Sequence, residues 1–165
     1  MNHARIEDFD HTPLLECYYR LEDKLTWLIA ENKGRQVGIQ HAQDEDVFLS
    51  ATGSLKSYRH EEEYNLLNPL FVGTVFEDII KKYKLVRTRL MWSDPKSCYS
   101  LHQDFSWRLH IPLITNTDCR FIFPDGPEIF HLPVGGIYMV DTTKTHSFCN
   151  FSSEPRLHLL GCCTH

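Results

Sequence analysis

Residues 100–114 combine a strand-like alternation with several groups that are costly to bury. The segment reads SLHQDFSWRLHIPLI, and its residues Leu109, Ile111 and Leu113 fall two apart, as on one face of a β-strand. The same spacing places the His102 imidazole and the Asp104 carboxylate on one side of the chain. Two histidines and one carboxylate form the facial triad that binds non-haem Fe(II) and leaves positions open for ligands. His102 and Asp104 are therefore candidates for two of its three ligands.

A His-x-acid pair is a weak signal by itself, because the chain contains 10 histidines and 22 acidic residues. A second such pair, His60-Glu61-Glu62, lies in the charged run YRHEEEYN, which has no strand pattern. We predict that this run is a solvated surface. The pair at His102 differs because a strand-rich segment follows it.

The residues alone leave five candidates for the third ligand: His110, His131, His146, His158 and His165. His146 is distinguished by Arg156, which follows it after a turn. A buried arginine needs an anionic partner, and its planar fork binds a carboxylate through two hydrogen bonds. That carboxylate could belong to a ligand that also contacts the metal.

The spacing of apolar residues along the chain changes near residue 84, from a helical repeat to strand-like alternation. Apolar residues at helical spacing predict a helix over about residues 13–30, and NPLFVGTVFEDIIKKYK predicts a second, capped by Asn68. Residues 31–65 are polar and are predicted to form loops that supply a lid or pocket wall. From residue 85 to 163, eight short alternating runs separated by turn sequences predict an antiparallel sandwich or barrel.

The composition limits the class of protein. The 165 residues suffice for one domain, which we predict to span 1–165, with helices and loops over about 1–84 and a β-core over about 85–163. A net charge of −5 argues against nucleic-acid binding, and no apolar run is long enough to span a membrane. We found no signal peptide and no CxxC pair, so we predict a cytoplasmic protein whose six cysteines are reduced.

The order of these segments resembles the 2-oxoglutarate- and Fe(II)-dependent dioxygenases, specifically the aspartyl/asparaginyl β-hydroxylase-like branch. The resemblance covers residues 87–161 and rests on RLMW, CYSLHQD, RLHIPLITN, VGGIYMVDTTKTHSFCN and RLHLL. It implies an α+β, mainly β fold: a double-stranded β-helix (a cupin-like jelly roll) with N-terminal supporting helices. It also implies Fe(II) as cofactor, 2-oxoglutarate and O2 as co-substrates, and hydroxylation of an unactivated C–H bond with release of succinate and CO2.

The resemblance also assigns roles to residues. His102, Asp104 and His146 match the metal ligands, and Arg156 matches the residue that pairs with the distal carboxylate of 2-oxoglutarate. Arg108 and His110 match positions that help to hold this co-substrate. Some members of the branch bind the metal with two histidines alone; Asp104 places this chain nearer the members that hydroxylate small amino acids.

Two other functions compete with this interpretation. One is a cupin-like metalloenzyme that keeps the triad but does not use 2-oxoglutarate, which would leave Arg156 without a role. The other is a non-catalytic β-sandwich binding module. The substrate stays open among a free amino acid, a peptide side chain and a small metabolite. Arg87 and Arg89 are either a pair that points into the barrel, where one could meet a substrate carboxylate, or an exposed pair on an edge strand.

Overall fold

The computed structural model describes residues 1–165, and the period-two segments of the sequence form its strands. The thirteen strands are β1 His3–Asp8, β2 Leu28–Ala30, β3 Gly34–Gly38, β4 Gln40–His41, β5 Leu66–Leu67, β6 Val86–Ser93, β7 Ser97–Cys98, β8 Trp107–Ile114, β9 Cys119–Phe123, β10 Glu128–Phe130, β11 Gly136–Val140, β12 Ser147–Asn150 and β13 Arg156–Cys163. The α-helices are α1 Thr12–Leu21 and α2 Val75–Tyr83, and short 3-10 turns lie at Glu22–Lys24, Glu61–Glu63 and Pro69–Phe71.

Two antiparallel sheets face each other. The large sheet has seven strands in the order β1-β11-β8-β13-β6-β3-β2, and the small sheet has four in the order β10-β9-β12-β7. From β6 to β13 the chain alternates between the two sheets, except at the β9–β10 hairpin within the small sheet, as in a jelly roll. The predicted double-stranded β-helix fold is confirmed. Seven of the eight predicted runs after residue 85 contain all or most of a strand, and the eighth, CYSLHQ, shares only Cys98 with β7.

Alternation along the strands of the large sheet separates its two faces. Leu109, Ile111, Leu157 and Leu159 are completely buried against the helices, in a core that also contains Leu14 and Phe76. Each such side chain contributes about 1.5–3 kcal/mol by its burial. The alternate positions of the same strands turn toward the small sheet, whose inner face is rich in phenylalanine. The helices therefore support one side of the sheet, and the polar residues of β6, β8 and β13 are left facing the interior of the jelly roll.

The predicted helix over 13–30 is wrong beyond Leu21. The chain turns extended at Leu25 and continues into β2, which pairs with β3 at the edge of the large sheet. Leu25 and Trp27 pack against the core at this edge instead of continuing the helix, and the Arg35 guanidinium lies 4.8 Å from the centroid of the Trp27 ring.

Residues 31–65 also contain more sheet than predicted, because β3 and β4 lie within them and only the remainder is loops and turns. Gly34 permits the close approach of β3 to β6: it adopts φ +149°, and a Cβ there would lie 1.9 Å from the Trp92 carbonyl oxygen. Three strands of the large sheet thus come from the first 40 residues, where we predicted a helix and loops.

The second predicted helix is interrupted. The Asn68 side chain accepts a hydrogen bond from the Leu70 amide at 3.2 Å, as expected of a cap, but it caps only the 3-10 turn Pro69–Phe71. Gly73, at φ +74°, then redirects the chain before α2 begins at Val75.

The prediction of six reduced cysteines is wrong for one pair. Cys98 of β7 and Cys149 of β12 lie directly opposite each other in neighbouring strands, with their Cα atoms 4.1 Å apart, and form a disulfide. Cys17, Cys119, Cys162 and Cys163 are free thiols. No helix is both long and apolar enough to cross a membrane.

Candidate metal and co-substrate site

The pairing of β7 with β12 continues beyond the disulfide and joins the first two candidate ligands. His102 and His146 form an antiparallel bridge in which each backbone amide donates to the other's carbonyl, at 3.0 and 2.9 Å. Their ring centroids are 4.4 Å apart. Two residues further on, the Asp104 amide donates to the Thr142 carbonyl at 2.8 Å. Backbone hydrogen bonds therefore fix the position of all three candidate ligands.

The three side chains converge. The two Asp104 carboxylate oxygens lie 3.9 Å from His102 Nε2 and 3.8 Å from His146 Nε2, and the three potential ligand atoms lie within 4.8 Å of one another. His146 is buried, while the His102 side chain is 42% exposed. Among the histidine, cysteine and acidic side chains of the chain, this is the one cluster with the spacing of a metal site.

Hydrogen bonds to the backbone orient both imidazoles. His102 Nδ1 lies 2.8 Å from the Ser100 carbonyl, and His146 Nδ1 lies 2.9 Å from the Lys144 carbonyl. A carbonyl only accepts, so in each ring Nδ1 carries the proton and Nε2 presents a lone pair toward the cluster. Burial also lowers the pKa of His146 and so favours its neutral, ligating form. Two imidazole nitrogens and a carboxylate are a donor set that suits Fe(II).

Arg156, at the start of β13, is buried without an acidic partner. Its guanidinium lies 3.9 Å from the Phe148 ring centroid, and Nη1 donates to His158 Nδ1 at 3.0 Å. Its Nε has no hydrogen-bond partner. Burial lowers the pKa of Arg156 to about 10, so the side chain remains charged at neutral pH. A buried cation with a free N–H group is suited to bind an anionic ligand.

The other two residues that we predicted to hold 2-oxoglutarate, His110 and Arg108, have different partners in the structure. His110 is buried in the interior, and its Nδ1 lies 3.3 Å from His158 Nδ1, which links it to Arg156. Arg108 instead directs its terminal nitrogens at the buried carboxylate of Glu61, with Nη2 2.6 Å from Oε1. Its charge is thus matched within the protein.

Two residues of this site escaped the sequence analysis. His158, which the residues alone left among five candidates for the third metal ligand, instead contacts both Arg156 and His110. Glu61, which we predicted to lie on a solvated surface, is 4% exposed and contacts Arg108. The alternation along β13 places His158 on the same face as Arg156 and is a usable signal, whereas a charged run offers none for Glu61.

A cavity of about 750 Å³ opens beside the triad and reaches Arg156. Asp104 is the only acidic residue that lines it. The basic residues that line it are Lys33, Lys56, Arg59, Arg87, Arg89, Arg108 and Arg156. Four of these residues form ion pairs with glutamates that do not line the cavity: Lys56 and Arg59 with Glu45, and Arg87 and Arg108 with Glu61. Lys33, Arg89 and Arg156 have no such partner, and their positive charge favours anionic ligands.

Comparisons with known proteins show the family to which the chain belongs. The sequence profile of the family described as aspartyl/asparaginyl beta-hydroxylase matches residues 45–165, which include the triad and Arg156. The L-proline cis-4-hydroxylase of Rhizobium meliloti (strain 1021) is 32% identical over 124 residues, which cover 72% of this chain and 42% of that protein. The chain thus spans less than half the length of this curated relative.

Two solved structures show a similar fold. A 2OG-Fe(II) oxygenase family oxidoreductase from Burkholderia pseudomallei has a TM-score of 0.54 at 16% identity, with 90% of this chain and 76% of that chain covered. A prolyl-4-hydroxylase from Pseudomonas putida has a TM-score of 0.53 at 10% identity, with 98% and 91% covered. At these identities the likeness concerns the fold.

Proposed function

Because the chain belongs to the aspartyl/asparaginyl β-hydroxylase family, we propose that it is an Fe(II)- and 2-oxoglutarate-dependent oxygenase. It hydroxylates an unactivated C–H bond of an amino acid, a peptide side chain or a small metabolite, and releases succinate and CO2. The observation that carries the proposal is the convergence of His102, Asp104 and His146 beside a cavity that contains the unpaired Arg156.

His102, Asp104 and His146 are the proposed metal ligands. The two Nε2 lone pairs and the carboxylate already face one another, held by backbone pairing, so little conformational entropy is lost when a metal binds. Fe(II) bound there would supply the activation of O2 and the oxidative decarboxylation of 2-oxoglutarate. The protein supplies ligation, orientation and a cavity whose lining includes Phe121 and Phe148.

Arg156 is the proposed partner of the distal carboxylate of 2-oxoglutarate. Its guanidinium is buried, charged and free at Nε, and His158 and Phe148 hold its orientation. We assign His110 to the wall of the same subsite. Arg108, whose terminal nitrogens are held by Glu61, acts on the co-substrate only through its position beside Asp104.

The unpaired Arg156 also argues against the cupin-like alternative. A metalloenzyme without an oxo-acid co-substrate has no use for a buried guanidinium that lacks an anion, and leaving one costs several kcal/mol, on the order of 3–5. Membership of the hydroxylase family argues against a binding module without catalysis.

We propose that the substrate carries a carboxylate, which Arg89 binds. Arg89 is 6% exposed and lines the cavity; its Nη1 donates to the Gln36 amide oxygen at 3.0 Å and its Nε has no partner. Strand β6 is an interior strand of the large sheet, so the exposed edge-strand alternative for this residue is wrong. The name of the Rhizobium relative, a proline hydroxylase, supports a small amino acid or a related carboxylic acid.

An anaerobic titration of the Fe(II)-loaded protein with 2-oxoglutarate tests the proposed function. Chelation of Fe(II) by the 2-oxo acid gives a weak visible charge-transfer band, and we expect this band in the wild type. Arg156→Gln should lose or greatly weaken it, whereas Arg120→Gln, an arginine of β9 that does not line the cavity, should keep it. Binding of Fe(II) without a band favours the cupin-like enzyme. Failure to bind Fe(II) favours the non-catalytic module.

A further inference from the structure

A carboxylate that belongs to none of the proposed ligands is buried next to the triad. Glu61 begins the 3-10 turn Glu61–Glu63, whose backbone is closed by a hydrogen bond from the His60 amide to the Glu63 side chain at 2.7 Å. Glu61 is 4% exposed, while the neighbouring Glu62 is exposed. Burial of a carboxylate is unfavourable unless charges and hydrogen bonds compensate it. Its partners therefore explain its position.

Those partners are two arginines and a serine. Arg108 Nη2 lies 2.6 Å from Glu61 Oε1, and Arg108 Nη1 lies 3.3 Å from Oε2. The Ser106 hydroxyl donates to Oε2 at 2.6 Å, and Arg87 Nη1 lies 3.5 Å from Oε1. Burial alone would raise the pKa of Glu61, but the charges of Arg108 and Arg87 and these hydrogen bonds keep it below its ordinary value. Glu61 is therefore an anion that holds two cations.

Arg108 connects this anion to the proposed metal ligand. Its Nη2 also lies 3.5 Å from Asp104 Oδ1, a separation longer than a direct hydrogen bond. Glu61 and Asp104 are the only carboxylates that form an ion pair with Arg108. Without the charge of Glu61, Arg108 would be drawn onto Asp104 and would occupy oxygen lone pairs that a metal needs.

The same carboxylate belongs to the segment that forms one wall of the cavity. Arg87 donates to the Ala51 carbonyl at 3.0 Å through Nε and to the Gly53 carbonyl at 2.6 Å through Nη2. Its amide donates to the Tyr64 carbonyl at 2.8 Å. Both ends of segment 51–64 are thus attached to β6, and residues 54–57 between them line the cavity.

We infer that Glu61 is a positioning residue for the metal site: it retains Arg108, so that the Asp104 carboxylate stays available to the metal. Because Glu61 belongs to segment 51–64, the availability of Asp104 depends on the docking of this segment against β6. This inference rests on the proposed function only in its assignment of Asp104 as a ligand. It predicts that Glu61 controls metal affinity through Arg108, without touching the metal.

Titration of the metal-free protein with Co(II), followed by its visible absorption, measures this effect without any turnover. Glu61→Gln should weaken Co(II) binding by about 10- to 100-fold, whereas the matched control Glu62→Gln should bind as the wild type does. The double variant Glu61→Gln/Arg108→Gln removes the competing cation together with its partner and should recover most of the lost affinity. A purely structural role for Glu61 predicts no such recovery.

A milder variant covers the case in which Glu61→Gln does not fold. The Ser106 hydroxyl donates to Glu61 and accepts from Arg108 Nη1 at 2.6 Å, so Ser106→Ala loosens the Glu61–Arg108 pair without removing either charge. It should weaken Co(II) binding in the same direction but by less, with an unchanged circular dichroism spectrum. Wild-type affinity in Glu61→Gln, or in Ser106→Ala where Glu61→Gln does not fold, overturns the inference and leaves the proposed function intact. Absence of Co(II) binding in the wild type overturns the metal-site assignment itself.

Discussion

The backbones of His102 and His146 hydrogen-bond to each other in both directions, so the two proposed histidine ligands are neighbours in a β-ladder. The pairing continues that of β7 with β12, and it involves neither imidazole. Because the sheet, and not the side chains, sets the separation of the two residues, the site is preorganised for a metal. Because the backbone pairing does not depend on the imidazoles, either histidine can be substituted without removing the hydrogen bonds that hold the two strands together.

His146→Ala should weaken Fe(II) or Mn(II) binding by more than about 100-fold while the fold is retained, because the bridge uses only backbone atoms. Anaerobic isothermal titration calorimetry measures the affinity, and circular dichroism checks the fold. His131→Ala is a matched control, since His131 Nδ1 also contacts a carbonyl, that of Cys119 at 3.0 Å, away from the triad. Equal affinities in the two variants would contradict the ligand assignment.

Much of the jelly roll was predictable because strand signals are local. Each segment after residue 85 alternates within itself and ends at a turn sequence, and WRLHIPLI and CRFIF match β8 and β9 residue by residue. The N-terminal third was less predictable, because pairing partners decided its structure. Leu28 has helical spacing from Leu21 and Leu25, yet it lies in β2 because β3 offers hydrogen bonds at the sheet edge.

The candidate site likewise has one part that the sequence predicted and one part that it did not. The convergence of His102, Asp104 and His146 was expected from the motif, its spacing and a family resemblance. Glu61 was not, since a glutamate in a charged run is normally exposed and only the distant Arg108 and Arg87 make its burial favourable. Long-range charge pairing leaves no periodic trace in a sequence.

Arg89→Ala should raise the KM for a carboxylate substrate by about 30-fold or more, equivalent to ~2 kcal/mol, because a buried charge-assisted hydrogen bond is lost. Succinate release without substrate should be unchanged, since Arg156 and not Arg89 is assigned to the co-substrate. Steady-state assays of succinate formation give both values.

The control for this variant is Arg35→Ala. Arg35 lies on the neighbouring strand β3 but is exposed and stacks on Trp27 and Trp92 outside the cavity. An unchanged KM in Arg89→Ala, once a substrate is found, would remove Arg89 from the substrate site.

The Cys98–Cys149 disulfide predicts the number of reactive thiols. Denatured, unreduced protein should give four thiols with a thiol-specific reagent, and reduced protein should give all six. Cys98→Ser should lower the free energy of unfolding by about 2–4 kcal/mol, because the crosslink joins residues 51 apart and restricts the unfolded chain. Cys163→Ser, which removes a free and partly exposed thiol, should cost less. Six reactive thiols without reduction would contradict the pairing.

The buried histidines His110 and His158 predict how stability depends on pH. Burial lowers both pKa values well below the ordinary 6.5, and the charges of Arg156 and Arg108 add to the effect at His110. Below pH 6.5 the unfolded chain therefore binds more protons than the folded one, so stability is complete above this pH and is lost as the pH falls.

The expected loss between pH 8 and 5.5 is about 1.4 kcal/mol for each of the two residues, and His146, whose pKa burial also lowers, acts in the same direction. Urea unfolding at both pH values measures it. His158→Asn keeps an acceptor near the Arg156 guanidinium but cannot titrate, so its stability should fall by about 1.4 kcal/mol less than that of the wild type over this range. His165→Asn, at an exposed position, is the matched control. An identical dependence in His158→Asn and the wild type would mean that His158 is not held neutral by the fold.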